Sequence, residues 1–144
     1  MNTNRYVKLY NAYSKRISNG DRAKIYRAMI GRGDLRMCPP YYTLLKMCGE
    51  KSCPQIKRVI SLFPFITHSS NSVESCGKKM YKGKINENRL IPMMEANDNS
   101  LAFEYFTYIK KDLKPILNWE NFGDKIYYWN KESRISIAEE YWNC

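Results

Sequence analysis

The stretch NGDRAKIYRAMIGRGDLR, residues 19–36, decides how the chain is read. At about 100° per residue, Ile25, Ala28 and Met29 fall on one helical face with Tyr26 at its edge. Lys24 and Arg27 project from the opposite side, and Arg22 lies at the margin of the apolar stripe. Asn19-Gly20 reads as a left-handed stop for a preceding helix. Asp21 then reads as the cap of a short helix over residues 22–29, and Arg32 and Arg36 follow in a glycine-containing turn. Four or five cations share this short surface with no Glu at i+4 to pair them. One reading is a solvated helix face. The other is a grip on a polyanion, because phosphates relieve the repulsion and binding releases counterions.

The same helical period extends in both directions. Tyr6, Tyr10, Tyr13 and Ile17 recur at helical spacing ahead of this stretch. Pro39-Pro40 introduces a third helix around 40–47. Pro54 suits the first turn of a fourth that carries Ile56, Val59, Ile60, Leu62 and Phe63 until Pro64 ends it. Residues 67–75, THSSNSVES, read as a polar loop. Asn86 is placed to cap a helix through Leu90, Met93 and Met94, Ser100 one through Leu113, and Asn118 one through Phe122, Ile126 and Trp129. A last helix runs through Ile135, Ala138 and Trp142. Short connections favour antiparallel neighbours. The expected fold is therefore all-α, a compact helical bundle with no sheet. It divides into a basic N-terminal lobe over 1–66, a loop or connector over 67–82 and a C-terminal lobe over 83–144, within one structural unit.

Charge is unevenly distributed over the 144 residues, whose net formal value is +10. Residues 1–60 carry thirteen Lys and Arg against three Asp and Glu, whereas residues 95–144 carry six against nine. Such polarity presents a directional field whose basic part suits phosphate. No apolar run approaches the roughly 20 residues of a membrane span, and the first ten residues lack the apolar core of a signal peptide. The protein is read as cytoplasmic, with no membrane partner. Five cysteines with no CxxC spacing read as free thiols. A zinc site from Cys38, Cys48, Cys53 and His68 matches no ligand spacing, so neither metal nor cofactor is expected. With a single histidine in a polar loop, no glycine-rich phosphate loop and no nucleophile elbow, no catalytic residue is assigned. The tyrosines that interleave with cations lie on apolar stripes, which favours core packing and a grip on phosphate over base reading.

Five segments in order resemble the CasB-type small subunit of Cascade, the type I-E CRISPR surveillance complex. They are LYNAYSKRISNGDRAKIYRAM (9–29), DLRMCPPYYTLL (34–45), VISLFPF (59–65), GKINENRLIPMMEAND (83–98) and LNWENFGDKIYYWNKESRISIAEEYW (117–142). The resemblance implies a non-catalytic, all-α subunit, two copies of which pack head to tail. Its partners would be the backbone and large subunits, the guide RNA, and the target and non-target DNA strands. It would line a basic groove that stabilises the guide RNA–target DNA heteroduplex and the displaced strand. Arg27 and Arg89 match positions where arginines of that family face nucleic acid, and Arg22, Lys24, Lys57, Lys84 and Arg134 are further candidates. Where relatives carry two arginines in the second helix, this chain has Tyr26-Arg27. Asn88, Cys53 and Asp98 likewise stand where relatives can be basic.

Two readings compete with this one. An autonomous DNA-binding regulator would use helices 22–29 and 40–47 as a helix-turn-helix, although PYYTLLKM offers no Arg, Asn or Gln fork for base edges. A small nuclease or hydrolase would require His68 or Glu139-Glu140 to support turnover.

Overall fold

The structure, a computed structural model, describes residues 4–31, 33–72, 75–82, 87–96 and 116–143. Asn4 Oδ1 accepts the Tyr6 N–H at 2.9 Å and opens α1, Arg5–Asn11, which buries Tyr6 and Leu9. One π-turn, Ala12–Arg16, carries the chain on to buried Ile17. Ser18, rather than Asp21, caps α2, Asn19–Ile30: its Oγ accepts the Asp21 N–H at 3.1 Å. Asn19-Gly20 is therefore the first turn of α2 and not a stop. Ser18 and Asp21 have the S-x-x-D spacing of a capping box, and that outweighs the Asn-Gly signal. The left-handed glycine of the described residues is Gly49, at φ +66°, just past α3, Pro39–Cys48. Cys53 caps α4, Pro54–Ser61, which ends ahead of Pro64.

Residues 62, 63, 65 and 66 stay buried as the chain turns into β1, Thr67–His68. This strand pairs in parallel with β2, Ile116–Leu117, placing Thr67 opposite Ile116 and His68 opposite Leu117. The two-residue pair is the only departure from an all-α fold among the described residues. The segment 67–82 is less loop-like than expected, because it contains α5, Cys76–Lys82. That helix packs tightly on α8, Lys131–Trp142, where a Cβ at Gly77 would overlap the Ile137 carbonyl and stand 2.6 Å from Glu140 Cβ. α6, Glu87–Glu95, also touches α8. Asn118 opens α7, Trp119–Tyr127, as its spacing predicts, with Oδ1 accepting the Glu120 N–H at 3.0 Å. In α8 the buried face is Ile137 and Tyr141, while Ile135 and Trp142 are exposed. Asn86 and the helix expected over 100–113 lie outside the described residues.

Trp119 is wholly buried at the centre, with Phe63 edge-on at 5.1 Å and Phe122 at 5.2 Å. α1 packs against α3, α4 and α7, so early and late segments share one core. Tyr6 reaches across α7, and its hydroxyl donates to Asp124 Oδ1 at 2.6 Å. Burial and that carboxylate hold the phenol well above its usual pKa. Gly123 makes this approach possible, since a Cβ there would overlap the Tyr6 ring and stand 2.9 Å from Tyr6 Cβ. Alanine at a mid-helix glycine gains about 1 kcal/mol of helix propensity. The overlap falls at the root of the ring, which cannot swing away, and overpacking of that kind costs about 1–3 kcal/mol. Gly123→Ala should therefore lower the unfolding midpoint by several degrees. A midpoint raised by the propensity gain would contradict the packing.

His68 sits at the junction between β1 and α7. Its Nδ1 accepts the Trp119 N–H at 3.0 Å, satisfying a donor that the helix itself cannot pair. A histidine read as a loop residue is thus part of the α7 cap. Burial lowers its pKa, with Glu120 opposing. The folded state then resists protonation more than the unfolded state does. This contribution is complete above the unfolded value near 6.5 and falls away as pH drops below it. The wild-type midpoint should rise between pH 5.5 and 7.5, and His68→Asn, which can cap without titrating, should flatten that rise. An equal rise in both proteins would remove His68 as its source.

Candidate nucleic-acid interface

α2 presents its outer face to solvent, with Lys24 and Arg27 exposed as the helical period requires. Beyond the helix, the Gly33 N–H donates to the Ala28 carbonyl at 2.6 Å and folds the chain back beside α2. The resulting open depression, about 430 Å³, is lined by Lys24, Arg27, Ala28, Asp34, Cys38 and neighbouring residues. Met37 stands at its edge, 84% exposed.

Asp34 organises the cations around this depression. Its carboxylate takes Arg36 Nη2 at 2.6 Å and lies 3.8 Å from Lys57 Nζ. Hydrogen bonds from the Arg36 side chain and backbone hold its pKa at about 2. It is the one acidic residue lining the depression, set against Lys24, Arg27, Arg36 and Lys57. Among the described residues, the side chains of Lys24 and Arg27 form no hydrogen bond or ion pair, so their charge is available to an anion. A surface with that balance suits phosphates and carries no base-reading fork.

The other candidates have different surroundings. Arg22 Nη1 donates to the carbonyls of Tyr13, Ser14 and Ile17, and Nη2 to Asn19 Oδ1. It closes the C-terminal end of the π-turn, where backbone acceptors lack helical partners. Lys57 is largely buried beside Asp34. Arg134 Nη2 donates to the Ala96 carbonyl at 3.3 Å, and its guanidinium lies over the Trp129 ring at 5.2 Å. It thus joins α8 to the end of α6. Arg89 falls on α6 with its side chain outside the described residues, as is the whole of Lys84. The structure therefore brings Lys24, Arg27 and, through Asp34, Lys57 to one place. Arg36, absent from the candidates, belongs with them, and its signal was the local Asp34-x-Arg36 spacing.

The cysteines supply little chemistry. Cys38, Cys48, Cys53 and Cys76 are free, and complete burial pushes the Cys76 thiol up to about 12. Among the described residues, no three His, Cys, Asp or Glu side chains are grouped to hold a metal ion. None of their helices is long and apolar enough to cross a membrane.

The two kinds of arginine can be separated by experiment. Lys24→Gln with Arg27→Gln should weaken single-stranded DNA binding severalfold. The slope of log K against log salt should shrink by about 1.4, or roughly 0.7 per lost contact. Arg22→Gln should leave that slope alone and lower stability by about 1.5–3 kcal/mol through lost charged hydrogen bonds. Equal salt slopes in the double variant and wild type would remove Lys24 and Arg27 from the interface.

No protein-family model and no curated protein matches the sequence. A solved structure does match by fold: a chain in the crystal structure of E. coli Cascade bound to a PAM-containing double-stranded DNA target. The two chains are 21% identical and superpose with a TM-score of 0.77, covering 95% of this chain and 93% of that one. This protein therefore has the fold of a chain found in E. coli Cascade.

Proposed function

We propose that this chain is the small subunit of a type I-E CRISPR Cascade complex. Its task is to hold nucleic-acid backbone without chemistry of its own. The observation that carries the reading is the fold likeness over 95% of the chain, to which the five ordered sequence segments add a named place in the assembly. Its partners are the backbone and large subunits, a guide RNA, both DNA strands and a second copy arranged head to tail. The depression beside α2 supplies cations to a backbone, and exchanging duplex for heteroduplex is so nearly balanced that such contacts tip it. Exposed apolar side chains, among them Met37, Tyr81, Tyr128 and Trp142, fit contacts with neighbouring subunits.

The test is purification of the tagged chain from its host, with identification of bound proteins and sequencing of bound RNA. Partner subunits together with a single RNA size class bearing repeat-derived ends are the expected result. A lone protein carrying heterogeneous nucleic acid would overturn the assignment and favour an autonomous DNA-binding regulator.

A further inference from the structure

On the other flank of α2 lies a second open groove, about 460 Å³. Its lining includes Tyr10, Tyr13, Arg22, Ala23, Tyr26 and Phe63. No acidic residue lines it. Tyr10 meets Phe63 edge-on at 5.4 Å, and Tyr13 lies 5.5 Å from the same ring. Tyr26 is 37% exposed at the rim and packs 5.8 Å from Phe65. Tyr13 is 7% exposed, yet its hydroxyl has no hydrogen-bond partner among the described residues, and neither has that of Tyr10. Neither oxygen is among the sealed, unpaired side-chain atoms of the described residues, so both hydroxyls stay open to solvent on residues that line the groove.

We propose that this groove takes an unpaired nucleobase from the DNA strand whose phosphates lie on Lys24 and Arg27. Every base offers a flat face to aromatic rings and an edge of donors and acceptors to hydroxyls. The Arg22 guanidinium, fixed in the wall by its own hydrogen bonds, adds positive charge beside that face. α2 contributes Ala23 and Tyr26 to the groove and Lys24 and Arg27 to the depression, so its exposed ridge separates the two by the width of one helix. A strand crossing that ridge can rest phosphates on one side and turn a base into the other. The inference rests on the function proposed above. Guide and target are paired with each other there, which leaves the displaced DNA strand as the one with free bases.

The full chain would be titrated with a short single-stranded DNA carrying one fluorescent purine, and with the same strand lacking bases. Binding should quench the purine. Tyr26→Ala should loosen the intact strand about tenfold and remove most of the quenching, while the salt slope stays at the wild-type value. Tyr10→Phe, which keeps the packing and deletes a hydroxyl, should loosen it a few-fold. Neither substitution should matter for the strand without bases. Salt-dependent binding with no quenching and no effect of Tyr26→Ala would overturn the groove proposal and leave the phosphate grip standing. Failure to bind any strand would overturn both. Quenching of an RNA strand alone, or a Tyr26→Ala defect confined to assembly with other protein chains, would also refute the groove as a DNA-base site.

Discussion

Arg58 is buried to within 9% of its surface, and its Nε and Nη2 donate at 2.7 and 2.6 Å to the carbonyls of Ile126 and Tyr127. A guanidinium in that position must find acceptors, because an unpaired buried charge costs several kcal/mol. The last turn of α7 supplies them: the Tyr127 carbonyl, and that of Ile126, which also takes the Trp129 N–H at 3.3 Å, carry the negative end of the helix dipole. Two needs separated by almost seventy residues thus satisfy each other, and α4 is held against α7. The rest of the core is arranged around that contact. Tyr6 crosses at Gly123 to reach Asp124, Arg5 lies 4.8 Å over the Tyr127 ring, and Trp119 fills the centre. Arg5 also pairs with Glu50 at 2.7 Å, which brings the end of α3 to the same place.

This arrangement divides the positive charge of the chain into two populations. Arg22, Arg58 and Arg134 donate to backbone carbonyls and hold helix ends together, and Lys125 pairs with Glu140 at 2.6 Å. Their removal would be felt first as lost stability. Lys24 and Arg27 have no such partners, so they retain charge for an external anion. Net charge suggested a polyanion partner, but composition cannot tell these populations apart. The distinction depends on which carbonyls the fold leaves unpaired beside each arginine.

What could be read in advance follows the same line. Pro54 as a helix start, Asn118 as a cap and the Tyr6-Tyr13 stripe are local signals, and each appears in the fold where expected. The failures had two causes. Some were contests between local signals, as where the Ser18-Asp21 capping box prevailed over Asn19-Gly20. Others depended on distant partners: His68 needed Trp119, Arg58 needed the end of α7, and Gly77 in α5 needed the surface of α8. At the candidate site, Lys24 and Arg27 were legible because helical period alone sends them outward. Arg22 was not, since its acceptors lie in a π-turn that the spacing of Tyr10, Tyr13 and Ile17 does not reveal.

α2 is consequently more than a scaffold for two cations. Its inner face, Ile25 and Met29, is fixed in the core, and Arg22 joins its first turn to the turn before it. The outer ridge cannot roll without breaking those contacts. Lys24 and Arg27 are therefore presented in a set orientation, and Tyr26 stays at the rim of the aromatic groove. A flexible basic tail would supply similar charge but would pay ordering entropy on every encounter. A rigid ridge avoids that cost, so under the function proposed above more of the counterion-release free energy would remain for holding a strand.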